Sequence, residues 1–215
     1  MYLNCEKYYF MYRALLLILV LFSSSFDNFS STNSMVMTAA QQGLPQFIAL
    51  IPAGHAESYG FSTDDNLQTC TIGKPFQMLT LSADFYNSDY VAGKTYVVPG
   101  KIWRVPVISN GAYRTLLTVA GENSNYNAVD MGGAGLATEL QQKSAGASKD
   151  DNYYLLRVYP LSADFFVDAK TSSLADATFI PLSSAYMAMP SLKNKSYSMD
   201  EILTVIKSAL NQTKN

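Results

Sequence analysis

The chain is poor in the residues that most chemistry needs. Among its 215 residues there is one histidine, His55, two cysteines, Cys5 and Cys70, and only 15% charged side chains. Any Ser-His-Asp triad would have to use His55, and no G-x-S-x-G stretch occurs. A single histidine with so few thiols cannot supply the nitrogen and sulfur ligands that zinc sites favour, so neither a metal nor a cofactor is expected. Cys5 precedes the apolar block Ala14–Phe22 and only Cys70 follows it, which leaves no pair for an internal disulfide once the leading segment is set aside. With a formal net charge of −2 and a pI near 5.3, the chain also lacks the basic footprint of a nucleic-acid binder.

What is present is apolar and aromatic. Hydrophobic residues make up 48% of the chain, with 15 Tyr and 11 Phe, a composition that can bury a core over one domain. The N-terminus runs from Lys7 and Arg13 into Ala14–Phe22 and then Ser23–Ser25. Basic flank, short apolar block and small-residue exit are the parts of a secretory signal over residues 1–25, with an uncleaved N-terminal anchor as the alternative. Met11 is a second candidate start, because the stretch from it already holds all three parts. Residues 26–43 are polar with little periodicity and read as a flexible segment, leaving 44–215 as one domain.

From Pro75 the pattern turns to strands. PFQMLTL, VVPGKIWRVPVI, AYRTLLTVA and YNAVDM are strand-like, and Asn110-Gly111 between the second and third predicts a two-residue type I′ hairpin turn. A two-residue loop predicts Val107 opposite Arg114, Val105 opposite Leu116 and Trp103 opposite Thr118. GGAGLATELQQK predicts a helix from about Ala134, and YYLLRVYPLSADFFVDA and ATFIPL predict further strands. SMDEILTVIKSALNQ opens with Ser198 and Glu201 in the spacing of a capping box and puts Leu203, Ile206 and Leu210 on one face. The expected fold is α+β: an antiparallel sheet, a meander with the Asn-Gly hairpin, packed by helices that include a C-terminal one. The spacing around residues 126–160 also admits one parallel crossover.

The candidate sites follow from these elements. Cys70 and His55 are the only pairing available to a thiol-dependent enzyme. Gly133 and Gly135 lie where backbone amides at a helix N-terminus hold an anion, although Asp130 and Glu139 place negative charge close by. Trp103, Arg114 and Arg157, with Tyr113, Tyr126, Tyr153 and Tyr154, are candidates to line a ligand face of the sheet. The string LSADF occurs twice, at Leu81–Phe85 and Leu161–Phe165. It reads as a strand-ending device, with Ser82 and Ser162 bonding local backbone and Phe85 and Phe165 buried. Convergence of Asp84 and Asp164 on one cleft would instead mark a duplicated site.

The succession YGFSTDDNL, IGKPFQMLTL, WRVPVISNGAYRTLLTV, MGGAGLA, LRVYPLSADFFV and FIPLSSA resembles a group of uncharacterised exported bacterial proteins over about Tyr59 to Ala185. The resemblance implies a periplasmic, extracellular or outward-facing location and carries over no functional residue. The residues therefore favour an exported, non-catalytic module of the cell envelope or exterior that binds a small ligand or protein partner, with membrane contact only through the N-terminal segment. The alternatives are a thiol enzyme using Cys70 and His55, and a protease inhibitor or prodomain-like protein acting through the Asp84–Lys94 loop or a free sheet edge near Pro106.

Overall fold

The computed structural model describes residues 26–145, 152–169 and 173–213, so the segment read as a secretory signal lies outside the described residues. Helix α1 (Phe26–Ala49) comes first, followed by β1 (Thr71–Ile72), β2 (Phe76–Leu81), the short α2 (Ala83–Asn87), β3 (Val97–Ser109), β4 (Ala112–Glu122) and β5 (Asn125–Gly132). Helix α3 (Ala134–Ser144) then leads to β6 (Asn152–Val158), β7 (Ala163–Ala169), β8 (Thr178–Pro181), α4 (Ser183–Ala188) and α5 (Met199–Gln212). The strands form one eight-stranded sheet in the order β5-β4-β3-β2-β6-β7-β8, with β1 also paired to β3. The fold is α+β, but the sheet is mixed rather than wholly antiparallel, because β2 and β6 run parallel through Gln77↔Tyr154, Met78↔Leu155 and Leu79↔Leu156.

Alternation along the strands divides the core between two faces. Gln77 is paired with both Trp103 and Tyr154, so those residues share one face. At one end of that face α1 lays Val36, Ala39, Ala40, Leu44 and Ile48 over Trp103, Val105, Leu117 and Val119. At the other end α5 lays Ile202, Leu203, Ile206 and Leu210 over Leu156, Val158, Phe165 and Val167. On the opposite face α3 covers Phe76, Met78, Leu116, Leu155 and Phe166 with Ala137 and Leu140.

The segment 26–43, expected to be flexible, belongs instead to α1. Its buried stripe, Val36, Ala39, Ala40, Leu44 and Ile48, does recur at helical spacing, but alanines carry much of it and give little apolar contrast. Small size is what the contact uses: a Cβ at Gly43 would run into the Cβ of Ala128 on β5. The helix runs past Pro45 and ends at Ala49.

The register expected for β3 and β4 holds for Ser109↔Ala112 and Ile108↔Tyr113 and then slips by one, giving Val107↔Thr115, Val105↔Leu117 and Trp103↔Val119. Asn110 and Gly111, between the first pair, have φ of 50° and 73°. The slip is an irregularity that leaves Arg114 as the extra residue on β4. Pro106 does not mark a free edge: it lies inside β3 opposite Leu116, and its carbonyl accepts the Gly73 amide at 2.8 Å.

The two LSADF copies take different structures. In the first, Leu81 ends β2, Ser82 precedes α2 without a side-chain cap, and its amide donates to Tyr96 O at 2.8 Å. In the second, Ser162 is a left-handed turn residue with φ of 50°, and Ala163–Ala169 begin a strand rather than end one. Phe85 and Phe165 are nonetheless both buried in the α5 cluster. Burial of the phenylalanine is common to both copies, while the tertiary setting decides between helix and strand.

Replacing Gly43 with leucine should force α1 away from β5. An overpacking loss of about 1–3 kcal/mol is expected in chemical denaturation; an unchanged midpoint would show that α1 does not seat where described.

Candidate functional site

The proposed sheet-face platform is divided by the fold. Trp103 is buried at 3% exposure under α1, with its ring edge-on to Tyr126 at 5.3 Å. Tyr153 lies on the α3 side against Phe166, 5.1 Å between ring centroids. Neighbouring Tyr154 turns to the other face and is buried in the α5 cluster. Arg157 is on the α3 side of β6, and Arg114 is at the irregularity in β4.

Arg114 is engaged by a carboxylate. Asp65, whose side chain has no exposed surface, lies 2.8 Å from Arg114 Nε and accepts from its Nη2 at 3.0 Å. The same carboxylate accepts from the Ser62 amide at 2.7 Å, the Ser62 hydroxyl at 3.0 Å and Asn110 Nδ2 at 3.0 Å. Gly60, with φ of 93°, brings the 56–60 turn so close that a Cβ there would strike the Arg114 carbonyl. Burial pushes the Asp65 pKa up, but hydrogen bonds from Ser62 and Ser109 and the Arg114 charge outweigh it and hold the carboxyl below its ordinary value. Arg114 thus clamps the 60–70 loop to the sheet.

Cys70 borders the same clamp. Burial raises its thiol pKa most, Asp65 raises it further, and Ser109 and Arg114 lower it, with a net rise. His55 is not among the groups acting on the thiol; it is exposed at the start of the 56–59 turn. A half-buried thiol with a raised pKa and a carboxylate for a neighbour is poorly disposed to be a nucleophile. Among the described residues no group of three or more His, Cys, Asp or Glu is placed to hold a metal ion, and no helix is long and apolar enough to cross a membrane.

Gly133 is the N-cap of α3 in left-handed conformation, φ 84°, and makes the sharp exit from β5. A Cβ at Gly135 would meet nothing within 4 Å, so no close backbone approach requires glycine there. Asp84 and Asp164 have separate partners: Asp84 pairs with Lys94 at the surface, whereas Asp164 is buried and receives both hydrogen bonds from Arg157 Nη1, at 3.0 and 3.2 Å. The Ser184 hydroxyl also lies 3.1 Å from Asp164 Oδ2. Burial pushes the Asp164 pKa up, and Arg157 and Ser184 only partly counter it.

The largest cavity described, about 470 Å³, lies at the other end of the molecule. Its walls are α5, through Thr204, Val205 and Ser208, and the chain after α4, through Met189 and Pro190. None of its lining residues is charged. The position of α5 is set by its capping box, Ser198 with Glu201, and by the loop after α2. Tyr90 donates to Asp200 at 2.6 Å, and Lys207 Nζ donates to the carbonyls of Phe85 and Ser88 at 2.6 and 2.8 Å. Ser88, Tyr90 and Gly93 of the Asp84–Lys94 loop are therefore fastened to α5.

Leu161, the first residue of the second LSADF copy, lines this cavity; Cys70, His55, Trp103, Arg114, Arg157, Gly133 and Gly135 do not. The capping box and the Leu203, Ile206, Leu210 stripe placed α5, but a cavity between a helix flank and a distant loop has no local pattern. Arg104, between inward-facing Trp103 and Val105, turns to the α3 side, where its Nη1 donates to the Thr118 hydroxyl. No family model, curated protein or solved structure matches the chain.

Two outcomes are expected from this geometry. Cys70 should react with a neutral alkylating reagent at pH 7 about tenfold or more slowly than a free thiol, with rates following the raised thiol pKa; rapid alkylation would favour the thiol-enzyme reading. For Asp65, whose folded pKa is depressed, the stabilisation is full above the unfolded value of about 3.9 and is lost as pH falls through the folded value. Asp65→Asn should therefore lower stability at neutral pH and flatten the loss below about pH 4, measured by denaturation across pH. Asp164, raised by burial, has the opposite sign and does not mimic this signature.

Proposed function

We propose that the chain is an exported, non-catalytic binding protein whose ligand occupies the 470 Å³ cavity beside α5. The observation that carries this reading is the lining itself: large enough for a small organic ligand and uncharged, with apolar Leu161, Met189 and Val205 beside polar Ser191, Ser208 and Gln212. Such a wall suits a neutral, largely apolar molecule bearing a few hydrogen-bonding groups. It offers no desolvated charge to a charged ligand, which would lose its hydration without compensation. Export rests on the N-terminal pattern of basic flank, apolar block and serines. A non-catalytic role is supported by the raised thiol of Cys70 and by its distinct neighbours Ser109, Asp65 and Arg114.

The test is direct. A neutral fluorescent probe, Nile red, should bind saturably at one site. Ser208→Trp, on the exposed flank of α5, should fill the cavity and weaken binding about tenfold or more, with the fold retained. Absence of saturable binding, or equal binding by the variant, would remove the cavity as the ligand seat.

A further inference from the structure

A second cavity, of about 240 Å³, lies at the end of the sheet away from α5, between helix α1 and the β4–β5 turn. One wall is a row on α1. Ser34, Thr38 and Gln42 recur every four residues, so their side chains follow one another about 6 Å apart along one flank of the helix. The other wall is Ser124 in the turn and Tyr126 at the start of β5. Met35 and Ala39 complete the lining, and none of it is charged. Contact between Gly43 and Ala128 seats the helix on β5 beside Gln42 and Tyr126. The Tyr126 ring is held in turn by buried Trp103, 5.3 Å between centroids at 83°.

The polar groups of this lining are free to bond a ligand. Among the described residues the hydroxyls of Ser34, Ser124 and Tyr126 and the Gln42 amide have no protein partner. The Thr38 hydroxyl donates to the Ser34 carbonyl at 3.0 Å, which leaves its oxygen to accept. The backbone adds an independent observation. Asn123 and Ser124, between the paired Glu122 and Asn125, have φ of 51° and 67°, the left-handed conformation of a two-residue turn between strands. Asparagine followed by glycine adopts it with least strain, and the chain has that pair at Asn110 and Gly111, φ 50° and 73°. In the β4–β5 turn a serine stands in the glycine's place, in a conformation that side chains rarely adopt, and it borders the cavity.

We infer that this cavity binds a neutral saccharide, one sugar ring whose hydroxyls are met by the α1 row on one side and by Ser124 on the other. Serine, threonine and tyrosine hydroxyls and the glutamine amide each both donate and accept, as sugar hydroxyls do, so either sense of hydrogen bond can be met at each position. The Tyr126 ring gives the C–H side of the sugar an apolar surface to lie against. A charged ligand would find no counter-charge in the lining, and a wholly apolar one would strip water from these polar groups and leave them unpaired. Ser124 then has a reason to hold its strained conformation: glycine would ease the turn but carries no hydroxyl.

The experiment titrates the full chain, isotopically labelled, with D-glucose, D-galactose, D-mannose and N-acetyl-D-glucosamine, following the Gln42 side-chain amide and the Ser124 backbone amide by NMR. At least one sugar should give saturable shifts at both. Gln42→Ala, at an exposed position on α1, should weaken that binding about fivefold or more through loss of a hydrogen-bonding amide. Ser124→Gly should weaken it about threefold or more while leaving the thermal midpoint unchanged or higher, because glycine takes the turn without strain. A serine that served only the turn would not show that split. Shifts that fail to saturate with every sugar, or saturable binding that either variant retains at full strength, would overturn the inference. Ser208→Trp beside α5 should leave sugar binding as it is, and loss of the sugar site leaves Nile red binding untouched, so the two readings fail separately.

Discussion

The parallel pairing of β2 with β6 is the constraint on which the rest of the molecule depends. Three register pairs, Gln77↔Tyr154, Met78↔Leu155 and Leu79↔Leu156, join two antiparallel blocks: β5-β4-β3-β2 with β1 on one side, and β6-β7-β8 on the other. So short a ladder contributes little through hydrogen bonds alone, each worth about 1 kcal/mol net. What secures it is burial on both faces. Met78 and Leu155 lie beneath α3, while Leu79 and Leu156 lie within the α5 cluster. A buried parallel ladder needs covering layers on both sides, and α3 and α5 supply them at this seam.

The seam also sets which residues of the two blocks share a face. Arg104 comes from one block and Arg157 from the other, and only the β2–β6 register puts them on one face. The α5 cavity lies off the seam, yet it depends on a cross-block tie. Lys207 on α5 bonds Phe85 and Ser88, which follow β2, while the helix itself rests on β6 and β7. The aromatic surplus is largely consumed in this construction. Phe85, Tyr96, Phe165 and Phe179 are fully buried, and Trp103 is spent under α1, so the aromatic content reflects core volume more than a ligand platform.

Legibility in the sequence followed how local each cause was. The capping box of Ser198 and Glu201 and the apolar stripe of α5 are set by neighbours in sequence, and both are present as the residues indicate. Helix α1 was hidden because it meets the sheet through Ala39, Ala40 and Gly43, whose value lies in smallness rather than in hydrophobic contrast. The slip at Arg114 escaped because Asp65, 49 residues earlier, is what draws that residue out of the ladder. LSADF makes the same point at five residues, helical at one site and extended at the other.

Amide hydrogen exchange at residues 77–79 and 154–156 tests the seam most directly. These amides should exchange only through global unfolding, with the same free energy and denaturant dependence as the most protected amides of β4 and β7. Exchange through a smaller opening, with β4 and β7 still protected, would mean that the two blocks part independently and would contradict an account in which the β2–β6 pairing holds the molecule together.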